Sequence, residues 1–348
     1  MPHSCQVHEN YFYWFAPKAD TAGIARSGDP NMHARLAVGL DAGGTSSRAV
    51  LIDETGALLG TGASGPANPV GGDREIALSN MALAFQRALG GIDPSEVGSV
   101  CVGTAGALSL TEEVRELSAD LKRRFATQCE VRVVSDAVIA FAAGSSASDG
   151  TVVVSGTGAV AFAIRDRAPA LRSDGYGWLF GDAGSGFWLG REAVRAALRH
   201  IDGNGPGGRL VEAIIAAISP DKRRSGALVA KCMADPPVRL SRFSALVCEA
   251  ADGGDPVAES IVARAVGHLA ESVSYVVDRE LPIVMAGSLL TRPTPIAALL
   301  QERFRLVYPK AGISKATDPA IGAAWMAASA FVTDPEARVR LHRQLAWR

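Results

Sequence analysis

A chain of 348 residues, 48% hydrophobic and 20% charged, is long enough for two domains and a large buried core. Its formal net charge of −1 gives no basic footprint for nucleic acid or an anionic membrane surface, and no apolar run approaches the ~20 residues that cross a bilayer. Cys5, Cys101, Cys129, Cys232 and Cys248 are scattered without CxC or CxxC spacing, which argues against a disulfide framework or a zinc site and suits a reducing cytoplasm.

Residues 1–34 differ in composition from the rest of the chain. The aromatic run at 11–15 is too short for a signal-peptide core, and 20–31 is polar and glycine-containing, so a disordered tail is expected. Met32 sits just before the first strand, and residues 1–31 are expected to be dispensable. Residues 39–53, GLDAGGTSSRAVLID, then read as a strand ending at Asp41, a Gly43-Gly44-Thr45 turn and a second strand. Paired glycines let backbone N–H groups approach a phosphate, and the hydroxyls of Thr45 and Ser46 add donors. A carboxylate at the strand end suits Mg²⁺ held through water. An ordinary hairpin turn uses the same residue types.

Residues 64–72 are rich in turn formers. Helical periodicity over 74–89 is followed by a strand at 97–103 that enters Thr104-Ala105-Gly106-Ala107. A capping box at 109–112 opens a helix over 113–125. The strand 130–135 ends at Asp136, a helix follows at 137–143, and 144–150 has the composition of a linker. The opening pattern then returns: 151–166, TVVVSGTGAVAFAIRD, is again strand, Gly156-Thr157-Gly158 turn and strand. This repeat implies two related α/β halves facing each other across a cleft. Beyond it come a Gly-rich aromatic stretch at 175–190 and helices at 191–199 and 210–218. A buried strand at 281–288 ends in a Gly-Ser turn, and three Asp-Pro pairs (Asp255-Pro256, Asp318-Pro319, Asp334-Pro335) each place an N-cap before a helix. Periodicity gives those helices roughly 24, 14 and 10 residues. Strands alternate with helices throughout, the pattern of an α/β chain with a mixed sheet in each half.

Neither a GxxxxGK[ST] loop nor a helix-opening GxGxxG is present, so the glycine turns are a different phosphate device. Two such turns converging from opposite halves would clamp a polyphosphate, and phosphoryl transfer requires mainly positioning and electrostatic stabilisation. Asp136 ends a buried strand where α/β ligands gather and can take a proton from a substrate hydroxyl; an N-cap role explains it equally well. Asp182, beside Tyr176, Trp178, Phe187 and Trp188, suits a sugar whose hydroxyls meet a carboxylate and whose faces meet aromatic rings. A helix cap and a set of core aromatics are the alternatives. Asn68 either contacts a polar ligand or tolerates its turn.

Taken in order, LDAGGTSSRAVL, GTAGA (103–107), SDA (135–137), SGTGAVA (155–161), GDAGSGFWLGREAVRAAL (181–198), MAGS (285–288) and IGAA (321–324) resemble a known set. They are similar to the motifs of the N-acetylglucosamine kinase family, which belongs with the BadF/BadG/BcrA/BcrD-type reductase-activator ATPases. That group lies in the actin-like superfamily of sugar kinases, heat-shock chaperones and actin. The resemblance spans about residues 35 to 345. It implies two actin-like (RNase H-like) ATPase domains around an interdomain cleft, at 35–147 and 148–333, with a helix at about 334–348 packing back on the first.

The resemblance further implies a cytoplasmic homodimer that uses ATP and Mg²⁺ to phosphorylate the 6-hydroxyl of a small amino sugar, N-acetylglucosamine first. No nucleic acid or membrane partner is expected. Asp41 would hold Mg²⁺ through water. Gly43, Gly44, Thr45 and Ser46, with Gly156, Thr157 and Gly158, would hold the ATP phosphates, and Gly287 and Ser288 the adenosine side. Asp136 would be the general base, and Asn68, Gly106, Asp136 and Asp182 would bind the sugar. Animal members carry SGTGSN in the second turn, where Ala159-Val160 stand here, so glucosamine and N-acetylmuramic acid kinases are alternatives. A reductase-activating ATPase is a more distant one, since it needs interface cysteines whose spacing is missing here.

Overall fold

The computed structural model describes residues 35–69, 73–105, 111–219, 221 and 223–346; the expectations for residues 1–34, for Gly106 and for Ser109 lie outside these. In chain order the first half comprises β1 (Leu36–Ala42), β2 (Ser47–Ile52), β3 (Leu58–Ser64), α1 (Arg74–Leu89), β4 (Val97–Thr104), α2 (Thr111–Phe125), β5 (Val131–Ser135) and α3 (Asp136–Ala142). The second half opens with β6 (Gly150–Ser155), β7 (Ala159–Arg165) and β8 (Ala168–Asp174). It continues through α4 (Gly186–Ile201), α5 (Arg209–Ile218), α6 (Ser225–Ala234), α7 (Ser244–Asp252) and α8 (Pro256–Ser274). The chain then runs through β9 (Ile283–Ala286), α9 (Ser288–Thr291), α10 (Pro295–Val307), β10 (Ile313–Lys315), α11 (Pro319–Ala328) and α12 (Pro335–Ala346).

The sequence repeat is a repeat of topology. One sheet has the order β3-β2-β1-β4-β5 and the other β8-β7-β6-β9-β10, so each central strand continues a hairpin on one side and a parallel pair on the other. In each sheet the hairpin partners run antiparallel and the remaining pairs parallel. Strands β1 and β6 are buried over nearly their whole length, as their continuous apolar runs require when both sheet faces are covered. On the first sheet one cover is α1, whose Leu78, Met81 and Phe85 are fully buried, with Phe85 stacked on Phe125 of α2 at 4.2 Å. The other cover is α11, which follows the second sheet in the chain yet packs on β1 of the first.

Strands β3 and β8 carry no signal in the sequence. Both are edge strands with largely exposed side chains, so they lack the apolar run that betrays a strand. In β3 the glycines serve packing: a Cβ on Gly60 or Gly62 would lie 2.1 or 2.0 Å from carbonyl oxygens of α1. The segment with a linker's composition is tied down instead, with Gly144 accepting from Ser314 Oγ and Ser146 accepting from Arg167. All three Asp-Pro pairs cap their helices, which run to 19, 10 and 12 residues. Helix α4 starts inside the aromatic stretch, so Phe187 and Trp188 are core side chains, while Tyr176 and Trp178 are exposed. Among the described residues no helix is long and apolar enough to cross a membrane.

Candidate active site

In both sheets the loops that matter leave the carboxyl ends of the parallel strands, the place where open α/β sheets gather ligands. Asp41 ends β1, Asp136 follows β5, Gly156–Thr157–Gly158 follow β6, Gly287 and Ser288 follow β9, and Asp318 follows β10. A cavity of about 550 Å³ opens between them; Asp41, Asp136, Gly287, Ser288 and Asp318 line it, with Val160 on its apolar wall. A second cavity of about 310 Å³ lies beyond the second turn, against Gly156, Thr157, Ser288, Arg239 and Arg242.

The two glycine turns are built differently. In the first, the Gly43 N–H donates to Ser46 O, while Thr45 and Ser46 stay exposed and Gly44 has open space where a Cβ would stand. Ala67 N–H donates to Gly43 O, which seats Asn68 beside this turn. In the second, Gly156 N–H donates to Gly158 O, and the first turn of α4 donates back to Gly156 O and Thr157 O. Gly287 has φ +84°, and a Cβ there would lie 2.4 Å from Ser155 O, so only glycine fits this crossing.

Asp136 is the first residue of α3, and its neighbour Ser135 caps the helix by accepting from Ala137 N–H. Ser135 is the N-cap residue, and the Asp136 carboxylate lines the cavity. Its Oδ1 accepts from Ala137 N–H at 2.8 Å and Ser135 Oγ at 3.1 Å. Protein packed around the other sides of the group raises its pKa above the usual carboxylate range, although these hydrogen bonds oppose the shift. Burial likewise raises the pKa of Asp41, against the pull of Arg48. Arg48 bridges Asp41 at 3.1 Å and Asp318 at 3.0 Å. These two carboxylates on one cleft wall fit Mg²⁺, which takes one or two carboxylates, keeps its waters and uses substrate phosphates for the rest.

Asp182 stands behind the second turn and outside the larger cavity. Its Oδ1 accepts from Ala159 N–H at 3.3 Å, and its backbone is left-handed, with φ +58°. Asp174 holds that conformation, accepting from Gly175, Asp182 and Ala183 N–H groups. Asp tolerates this region better than most residues, and the three N–H contacts fix the loop in it. Burial, reinforced by the Asp174 charge, raises the Asp182 pKa. The helix cap that Asp182 could have supplied comes from Ser185.

Sequence reasoning missed Arg48 as a site residue and read Asp318 only as a cap. Asp318 does both: its Oδ1 accepts from Ala320 N–H at 2.9 Å, and its Oδ2 faces Arg48. Only the tertiary fold brings the two together. A raised folded pKa means that Asp136 binds more protons folded than unfolded, so its contribution falls as pH rises from about 4 through the raised value. Asp136→Asn is therefore expected to melt at a higher temperature than the unmodified chain at neutral pH. In parallel thermal melts the difference should shrink as the pH is lowered towards about 4.

The model of the BadF/BadG/BcrA/BcrD ATPase family matches residues 38–327. An N-acetyl-D-glucosamine kinase of Dictyostelium discoideum is 26% identical, aligned over 85% of this chain and 98% of its own. An N-acetylmuramic acid/N-acetylglucosamine kinase of Clostridium acetobutylicum is 27% identical, aligned over 85% and 99%. The crystal structure of a protein described as a putative N-acetylglucosamine kinase, from Chromobacterium violaceum, shares the fold. Its TM-score is 0.64 at 23% identity, covering 84% of this chain and 98% of that one.

Proposed function

The chain belongs to the BadF/BadG/BcrA/BcrD ATPase family, and from that premise we propose that it is an ATP-dependent amino-sugar kinase acting on the 6-hydroxyl of N-acetylglucosamine. The observation that carries this reading is the position of Asp136: a carboxylate whose Oδ1 is held at the start of α3 and whose Oδ2 has no partner among the described residues, in one cavity with Asp41 and the Gly287–Ser288 turn. Such a cleft holds an acceptor hydroxyl and a polyphosphate in line, which is most of what phosphoryl transfer requires.

In this reading the Gly43–Ser46 and Gly156–Gly158 turns present hydroxyls and those backbone N–H groups not bonded within the turns to the phosphates. The adenosine lies towards Gly287, Ser288 and the cavity beside Arg239. Asp41, with Asp318 nearby, would hold Mg²⁺ through water, and the ion would neutralise charge on the transferred group. Asp136 orients the sugar hydroxyl through Oδ2 and accepts its proton late in the transfer, while Oδ1 stays pinned by Ser135 and Ala137. Asn68 beside the first turn is assigned to the sugar, and so is Asp182, which lies behind the second turn and outside the larger cavity. The raised pKa of Asp136 puts the acidic limb of the rate profile above the ordinary carboxylate range.

The apolar Val160 on the cavity wall favours an acylated sugar over a free ammonium, so N-acetylmuramic acid is the second substrate to be tried. A reductase-activating role finds less support. Cys101, Cys232 and Cys248 lie on separate elements, β4, α6 and α7. Burial raises the thiols of Cys101 and Cys248 to about 12 and about 11. Transfer to O6 is tested by phosphorus-coupled carbon NMR of the product: the coupling should fall on C6, and 6-deoxy-N-acetylglucosamine should not be phosphorylated. Coupling at C1 would refute the assignment of the acceptor hydroxyl.

A further inference from the structure

A third cavity, of about 330 Å³, lies away from the cleft and is lined by Arg132, Arg167 and Arg338. The three come from different parts of the fold. Arg132 is on β5, Arg167 is in the turn joining β7 to β8, and Arg338 is on α12. Two are fixed in place. Arg167 lies over the Trp325 ring at 4.4 Å and donates to Ser146 O, and Arg338 donates to Val332 O and Ser329 O. The Arg132 side chain makes no hydrogen bond or ion pair with the described residues, Glu130, the one carboxylate lining the same cavity, included.

Three guanidiniums face one lining carboxylate, and Asp149 acts on Arg167 from outside the cavity, so positive charge is in excess. Their mutual repulsion is felt: burial first, and then Arg338 and Arg132, lower the pKa of Arg167. A surface of this kind is stabilised by an anion that accepts several N–H donors at once. Guanidinium forks match phosphate geometry, and a phosphomonoester brings a charge of about −1.5 to −2 at neutral pH.

We infer that this cavity binds a phosphomonoester at a site separate from the catalytic cleft, with Arg132 as its principal ligand and Arg167 and Arg338 as pre-positioned supports. The inference goes beyond the kinase reading and does not depend on it, because the test uses no turnover. The probe is glycerol 3-phosphate, which carries neither a nucleotide nor an amino sugar, titrated calorimetrically into the full chain at constant ionic strength. One molecule should bind per chain. Arg132→Gln should weaken binding at least about tenfold, the loss expected of a charge-assisted contact of about 1.4 kcal/mol or more, and Arg132→Lys should retain part of it. Inorganic phosphate and sulfate form the comparison arms; weaker binding than the ester assigns the ester as ligand, and equal or tighter binding overturns that assignment. Arg132 is exposed on its strand, so circular dichroism and melting temperature should be unchanged in both variants. No binding, or binding that Arg132→Gln leaves intact, overturns the site itself.

Discussion

Asp136→Asn is expected to lower turnover with ATP and N-acetylglucosamine by about two to four orders of magnitude, the range by which a positioned general base accelerates proton transfer. Both dissociation constants should stay nearly unchanged. The amide is the same shape, and its carbonyl oxygen can keep the contacts that Oδ1 makes with Ala137 N–H and Ser135 Oγ. What is lost is the second acceptor: an NH₂ group now faces the sugar hydroxyl and donates where a proton must be accepted. The helix start does not suffer, because Ser135 provides the cap. The variant should thus be slower and, at neutral pH, more stable, since it removes a carboxylate whose charged form the site disfavours. Single-turnover kinetics beside equilibrium binding would check the first half. Near-normal turnover would remove Asp136 from the chemistry.

Gly39→Ala is expected to cost about 3 kcal/mol of stability or more, at or above the upper end of ordinary overpacking. A Cβ at Gly39 would lie 2.0 Å from Ala324 N, 2.3 Å from Ala320 O and 2.6 Å from Ala323 C. These are backbone atoms of α11, so no side-chain rotation relieves the clash. Neither partner can retreat easily. Strand β1 is the middle of its sheet, paired with β2 and β4, and α11 is pressed from its other side by α3, where a Cβ on Gly322 would meet Ile139 O at 2.2 Å. Helix α11 also begins at Asp318, so displacing it disturbs the Arg48–Asp318 pair at the cleft. Denaturant unfolding should show a lower midpoint with little change in slope. A shift below about 1 kcal/mol would show that the helix slides on the sheet more freely than this packing allows.

Much of the architecture is legible in the chain, for reasons that residues make plain. A Gly-Thr turn between two β-branched runs, occurring twice, announces the paired hairpins, and the two sheets do share one topology. The Asp-Pro pairs announce helix starts because Asp accepts from the N2 or N3 amide and Pro suits the first turn. The edge strands β3 and β8 stay hidden because they face solvent and carry no apolar alternation. Asp136 and Asp182 each read as a potential cap, and in each case a nearby serine, Ser135 or Ser185, does the capping. Attention to that serine would have strengthened the case for both carboxylates. The Arg48–Asp318 pair has no local signal at all, since its members lie on β2 and at the start of α11.

The central claim is that the cleft couples ATP cleavage to phosphorylation of an amino sugar. Its most direct test is coupled ADP release with Mg²⁺ and ATP across N-acetylglucosamine, N-acetylmuramic acid, N-acetylmannosamine, glucosamine and glucose. ADP release should be slow without sugar and rise at least about a hundredfold with the preferred substrate, as positioning of an acceptor hydroxyl implies. N-acetylglucosamine should lead, with N-acetylmuramic acid next and glucosamine and glucose behind. ATP hydrolysis that none of the five sugars accelerates would contradict the claim.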